Sequence, residues 1–367
     1  MSLTNNTPLR GLLVVETASV LAGPAVGMFF AELGARVIKL ENAKAGGDIT
    51  RKWKLPKEDA SGPVSAYFSS VNHGKEHRMT DLTGTNGRQM LDELVAKADV
   101  LITNHMDADA EKLGLQRERL RALNPKLLHG HIRGYANDPS RPAYDVVLQA
   151  ETGYIGMTGT DNANPAKLPV AMIDVLAAHQ LKEGLLLALW QRERSGKGAY
   201  VEVSLEQAAF TGLVNQASNW LMAKHAAQPI GTLHPNIAPY GELFTCADGS
   251  RIVLAVGSNE QFKGLCHALG LSHLVHDQRF STNAKRVTNR NVLAQMLAPA
   301  IAAAPRDELL ARFREAQVPA GAVNSIDEAL GSPTAKRMVL EEMIEKVRTL
   351  RISGNAFQIK TNDDRMG

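Results

Sequence analysis

Apolar positions come in short runs along the chain, and their spacing switches between strand-like and helix-like. Residues 12–17, LLVVET, are continuous and partly β-branched, the pattern of a strand covered on both faces. Pro24 stands where a helix would begin, its missing N–H costing nothing there. Residues 25–33 carry helical spacing, Gly34 ends them, and residues 36–40, RVIKL, read as a second strand. Strand, helix and strand of these lengths predict a βαβ unit with a parallel pair. The pattern continues with a helix over 87–98, a strand over 99–103 (DVLIT), a helix over 117–123 and a strand over 126–132. A long apolar helix spans 171–193, and AYVEVSLEQAAF at 199–210 is a strand running into a helix. The fold class predicted is α/β, with a mainly parallel sheet in a large first domain.

Residues 228–240, QPIGTLHPNIAPY, break the pattern with Pro, Gly and Asn and read as a linker. Beyond it, 241–257 predict a hairpin turning at Ala247-Asp248-Gly249, followed by helices over 260–269, 291–303 and 306–317. This is a smaller α+β domain. Alternation in RTLRISG, 348–354, predicts that the tail returns to the first sheet. The expected division is 1–225, 226–325 and a return segment 326–367 packing on the large domain.

A length of 367 residues suits two cores. Lys and Arg number 41 against 38 Asp and Glu, a net charge of +3, and the basic residues are scattered without interleaved aromatics. Nucleic acid is therefore not an expected partner. The two cysteines, Cys246 and Cys266, make no disulfide framework and point to a reducing compartment. The start MSLTNNTPLRG has no apolar signal core, and no run approaches the roughly 18 apolar residues that span a bilayer. The expectation is a cytoplasmic protein without a membrane partner.

The first βα turn resembles a nucleotide-binding turn but lacks its glycines. A dinucleotide site wants G-x-G-x-x-G, whereas this turn offers only Gly23 and Gly27. Glu41, at the end of the second strand, stands where a ribose-binding acid would. The turn is either purely structural or an anion-binding helix start. Asp174 lies among apolar neighbours in LPVAMIDVLAAHQ, where a carboxylate is costly unless it caps, pairs or works. It is either an N-cap or a covalent nucleophile. His73 and His77 are four apart, and His129 and His131 two apart, but no carboxylate or Cys cluster accompanies them, so no metal site is expected. No G-x-S-x-G elbow is present. The Gly-Lys-Gly of RSGKGAY follows a helix instead of opening one, so it is a C-cap turn and not a phosphate loop.

Several segments together resemble the family III CoA-transferases, the group of formyl-CoA:oxalate and carnitine CoA-transferases. They are GLLVVETASVLAGPAVGMFFAELGARVIKLE with GGDITR, VNHGK with TDL, DVLITN, LNPKLLHGHIRGY, AYDVVLQAETGYIGMTG, RERSGKGAYVEVSLEQAA and HPNIAPY. The resemblance implies a Rossmann-like large domain, a small domain and an interlocked homodimer. It implies coenzyme A as substrate, with no permanently bound cofactor, and an acyl-CoA and a small carboxylic acid as partners. CoA would contact Val20, Leu21, Ala22, Asn104, His105, Lys112, Leu113, Arg133 and Gly134, with Arg51 and Lys75 as further phosphate partners. The family's catalytic aspartate matches Asp174, which would form an acyl anhydride and then an aspartyl-CoA thioester. The superfamily also holds α-methylacyl-CoA racemases, which use a histidine where this chain has Tyr144, before Asp145. A phenol is a poor base near neutrality, which favours transfer over racemisation. Where the family usually has Lys-Arg-Ser, this chain has Lys75-Glu76-His77, and a degenerate CoA-binding member is the remaining alternative.

Overall fold

The computed structural model describes residues 7–359; residues 1–6 and 360–367, at the outer ends of the first and last expected segments, lie outside it. The chain divides into two compact units. One takes the residues up to 154, 168–226 and 333 onward; the other takes 155–167 and 227–332. The stretch 155–167 thus groups with the second unit, where the Gly231 N–H donates to the Gly159 carbonyl at 2.8 Å.

In the first unit, β1 (Leu13–Glu16), β2 (Arg36–Asn42), β3 (Lys75–Thr80), β4 (Val100–Thr103), β5 (Leu128–Arg133) and β6 (Ala199–Ser204) form one sheet. Their order is β3-β2-β1-β4-β5-β6, and every neighbouring pair is parallel. Strand order reverses between β1 and β4, which leaves a crevice beyond the carboxyl ends of those strands. β3 was not foreseen. Its sequence KEHRMT is polar because it is an edge strand, and only Lys75 and Thr80 are fully buried.

The helices are α1 (Ala22–Glu32), α2 (Ala66–Ser69), α3 (Thr85–Val95), α4 (Asp107–Leu113), α5 (Arg117–Leu123), α6 (Asp145–Glu151), α7 (Tyr154–Met157), α8 (Met172–Ser195), α9 (Leu205–Gly212) and α10 (Asn215–Ala223). α1 starts three residues before the expected position. Pro24 still falls in its first turn, where no intrahelical N–H bond is lost. α8 lies close over β5 because Gly130 has no side chain: a Cβ there would stand 3.0 Å from Leu185. On the opposite face α3 and α5 pack Leu91, Val95 and Leu120 against Val15, Ile38 and Leu101.

A buried ionic cluster runs under the carboxyl ends of β1 and β2. The Glu16 carboxylate, wholly inaccessible, accepts from Lys39 at 2.8 Å and from Lys75 at 2.8 Å. Lys39 also reaches the Ala18 carbonyl at 2.6 Å and Asp48 at 3.1 Å. Lys75 also reaches the Pro24 carbonyl at 2.8 Å and Asn72 at 3.0 Å. Burial pulls the Lys75 ammonium down to about 8. The expected glycines serve this packing: a Cβ on Gly27 would stand 1.8 Å from the Glu16 carboxylate, and one on Gly23 2.3 Å from Ala18 Cβ.

The second unit has an antiparallel sheet of β7 (Tyr240–Thr245), β8 (Arg251–Ala255) and β9 (Ala320–Ala322). Its core joins Phe262, Leu265, Phe280, Leu297 and Phe313. In the tail, β10 (Val339–Ile344) and β11 (Val347–Ile352) pair only with each other. The tail therefore does not join the first sheet by strand pairing. Side chains attach it instead: Arg351, Ser353 and Asn355 all donate to Glu32 at the end of α1.

Glu16→Gln removes the charge that both lysines share. Breaking a buried pair leaves its partner uncompensated, so the variant should lose roughly 3–5 kcal/mol of unfolding free energy in a urea titration. A loss below about 1 kcal/mol, the worth of a surface ion pair, would show that the cluster does not hold this region.

Candidate active site

The chain leaves β1 at Glu16 and turns through residues 17–21 into α1. Val20 adopts φ 74°, a left-handed conformation that a β-branched residue resists. The surrounding groups hold it there. The Val20 N–H donates to the Asp48 carboxylate at 3.2 Å. Asn104, just past β4, accepts the Ser19 N–H at 3.1 Å and donates to the Ser19 carbonyl at 2.9 Å. His105 Nε2 lies 3.0 Å from the Thr17 carbonyl, to which it donates. The side chains of Asn104 and His105 therefore anchor the turn. α1 begins without a side-chain cap, and its first N–H groups have no partner among the described residues.

Two cavities open on this turn. A cavity of about 460 Å³ is lined by Ser19, Glu41, Asn42, Asp48 and Asp81, and by Lys112 and Leu113 of α4. A second, of about 250 Å³, is lined by Val20, Leu21, Ala22, Asn104, Arg133, Gly134, Tyr144, Asp145 and Asp174. Ser19 and His105 border both. The structure thus gathers seven of the nine expected contact residues around the smaller cavity, with Lys112 and Leu113 on the larger. Lys112 is exposed and pairs loosely with Asp109 at 3.2 Å. Arg133 meets Glu202 at 2.8 Å, and its Nε has no partner among the described residues.

Other expected contacts are occupied within the protein. Glu41 accepts from Arg51 at 2.6 Å and lies 2.9 Å from His77 Nδ1, with its acidity strengthened by those bonds against the effect of burial. Arg51 and Lys75 are both buried in ion pairs and line neither cavity. Glu76 pairs with Arg36 at 2.6 Å on the surface and lines neither cavity. His73 pairs with Glu342 at 3.2 Å.

Asp174 is the third residue of α8, so it is not the N-cap; Ala171 holds that place without a side-chain bond. Asp145, opening α6, supplies the missing cap from outside by accepting the Ile173 N–H at 2.7 Å. Asp145 also accepts from Gln149, whose own oxygen takes the Leu168 N–H at 2.8 Å. Burial, and then the neighbouring Asp145, raise the Asp174 carboxyl to about 7. Tyr67 on α2 feels both carboxylates: burial first, then Asp174 and Asp145, push its phenol up to about 12, so it stays a neutral donor. Asp145 in this role and Tyr67 were not foreseen, since neither belongs to a spacing pattern. The apolar setting of Asp174 was the visible signal.

The arrangement is a partly buried carboxylate in one cavity with the uncapped start of α1, beside a crevice at the strand-order reversal. The profile of CoA-transferase family III matches residues 9–366. The chain is 35% identical to a succinate–glutarate CoA-transferase from Agrobacterium fabrum, over 92% of this chain and 85% of that one. The chain belongs to CoA-transferase family III. An acetyl-CoA:oxalate CoA-transferase from Acetobacter aceti is 33% identical over 97% of this chain and 90% of its own length. A solved CaiB/BaiF-family protein from Brucella suis superposes with a TM-score of 0.86 at 36% identity, covering 98% of this chain and 94% of that one. The resemblance drawn from the motifs is therefore shown, and the family III chain is an enzyme of CoA transfer.

The raised pKa of Asp174 has a consequence for stability. The folded state holds a proton that the unfolded state, near 3.8, releases, so stability falls as pH rises from about 4 to about 7. Asp174→Asn removes that penalty. It should be more stable than wild type at pH 8 by roughly 1–3 kcal/mol, a partly exposed share of about 1.4 kcal/mol per unit. The difference should vanish near pH 4. Urea midpoints across this range decide it; an Asn variant less stable at pH 8 would mean that the carboxylate serves the fold.

Proposed function

We propose that the protein transfers coenzyme A from an acyl-CoA to a small carboxylic acid, with Asp174 as the nucleophile. The observation that carries this reading is a carboxylate held costly and half-buried in a cavity that the uncapped start of α1 also lines. The adenosine phosphates occupy the larger cavity, with Lys112 at its rim, and the pantetheine passes Ser19 and His105 into the smaller one. The thioester oxygen takes the free N–H groups of Leu21 and Ala22, where charge develops during attack. Asp174 displaces CoA thiolate to form an acyl anhydride. The thiolate then attacks the aspartyl carbonyl, releasing the donor acid and leaving an aspartyl-CoA thioester. The acceptor acid retraces these steps. Burial of the carboxylate limits the access of water to the anhydride. The relatives named above act on succinate, glutarate and oxalate, which points to a small dicarboxylate as acceptor.

Racemisation fits less well. Tyr144 lines the cavity where the second base would stand. The two histidines that line it, His105 and His131, are both pushed down by burial, His131 to about 4, far below what a proton shuttle near neutrality needs.

The same reading includes a homodimer of interlocked chains in a reducing, cytoplasmic setting. Support comes from apolar surface on one unit: Leu187 and Trp190 on α8, Val214, and Leu221 and Met222 on α10 are exposed, Met222 by 88%. Association of two chains would cover such exposed side chains.

Two measurements test these statements. Hydroxylamine added during turnover should convert Asp174 to its hydroxamate, seen by peptide mass spectrometry, and Asp174→Asn should fold, bind CoA and transfer none. A hydroxamate on another carboxylate, or an active Asn variant, would move the nucleophile. Light scattering at micromolar concentration should give twice the chain mass; a stable monomer would remove the dimer.

A further inference from the structure

A third cavity, of about 180 Å³, opens on the face of the sheet covered by α5. Its lining includes Arg117, Arg121, His129 and Tyr200. It is smaller than the roughly 300 Å³ at which ordinary cofactor pockets begin, so it admits a small ion and not a thioester. Neither arginine has an ion-pair partner among the described residues; Arg117 only lies over the Tyr200 ring at 4.6 Å. The imidazole of His129 is 93% buried by its 7% exposure, and its Nδ1 has no partner among the described residues. Arg117 is close enough to His129 to disfavour its protonation, after the larger effects of burial and of His131. One small cavity is thus lined by two arginines without ion-pair partners and by a histidine whose Nδ1 is unpartnered among the described residues.

The other ring nitrogen of His129 leads towards the reaction cavity. His129 Nε2 lies 2.9 Å from Thr103 Oγ1, and the same hydroxyl lies 2.7 Å from His131 Nδ1. His131 lines the cavity that holds Asp174. Both imidazoles are kept neutral, so each carries one N–H. The threonine has one proton, which allows two arrangements of the chain. In one, His129 Nε2–H donates to Thr103, Thr103 donates to His131 Nδ1, and His129 Nδ1 is a bare lone pair. In the other, His131 Nδ1–H donates to Thr103, Thr103 donates to His129 Nε2, and His129 Nδ1–H is a donor. An anion needs a donor, so it selects the second arrangement. The same selection turns His131 Nε2 from donor to acceptor.

We propose that this cavity is a second binding site, for a small carboxylate anion, connected through the Thr103 hydroxyl to the tautomer of His131 at the reaction cavity. Arginine forks match a carboxylate in two parallel bonds, and His129 Nδ1–H supplies a third donor. The site lies apart from Asp174 and does not depend on the reaction assigned to it.

The test uses wild-type protein labelled with nitrogen-15 in histidine, titrated with sodium succinate against sodium chloride at matched ionic strength. Succinate should move both His129 Nδ1 and His131 Nδ1 to the protonated position, saturably, while chloride should not. The double variant Arg117→Gln/Arg121→Gln changes only exposed side chains. It should fold as wild type and need at least about tenfold more succinate, the cost of one lost charge-assisted contact. The proposal is overturned by no saturable shift, by an equal response to chloride, or by an unchanged titration in the double variant, which would place the anion in the reaction cavity.

Discussion

The Glu16 carboxylate, buried between Lys39 and Lys75, is the constraint on which the site depends. It sits at the last residue of β1, directly beneath the turn into α1. Lys39 ties Glu16 to the Ala18 carbonyl and to Asp48, and Asp48 in turn holds the strained Val20 N–H. Lys75 ties the same carboxylate to the Pro24 carbonyl inside the first turn of α1. One acid therefore fixes the turn from both ends. Charges buried at this cost persist where they define a geometry that apolar packing would leave loose. Here the geometry is the free amino end of α1, aimed over the strand-order reversal.

Asp174 faces that end from α8. Helix amino ends ordinarily welcome a carboxylate, through dipole and unpaired N–H groups. Asp145 has already taken the Ile173 N–H and placed a second negative charge nearby, so the usual benefit is withheld and burial dominates. The result is a carboxylate that is reluctant to be ionised. The same feature makes it a burden on the fold, as functional groups often are.

The parallel sheet, its βαβ units and the long helix opening near Asp174 were legible, because buried parallel strands and long apolar stretches within a helix write themselves in continuous hydrophobic runs. The family motifs placed Val20, Leu21, Ala22, Asn104, Arg133 and Gly134 around one cavity. What stayed hidden was pairwise. Polar KEHRMT gives no sign that its Lys75 lies under Glu16, fifty-nine residues earlier. Gly23 and Gly27 look like a defective phosphate loop until the Ala18 and Glu16 side chains fill the space above them. Asn104 reads as a ligand contact, yet its amide is spent on Ser19. Asp145 caps a helix that begins twenty-seven residues later, and no local rule reports a cap supplied from another helix. The tail alternates like a sheet strand but pairs only with itself and is held by Glu32.

The central claim is that the acyl group passes through the carboxylate of Asp174, and oxygen tracing tests it most directly. An acceptor acid labelled with heavy oxygen in its carboxylate attacks the aspartyl-CoA thioester and leaves one of its oxygens on the aspartate. The next donor acid carries that oxygen away. Multiple turnovers should therefore put heavy oxygen into the peptide containing Asp174 and into the released donor acid, with none lost to water. Label that never enters that peptide, or that appears on another residue, would contradict the account.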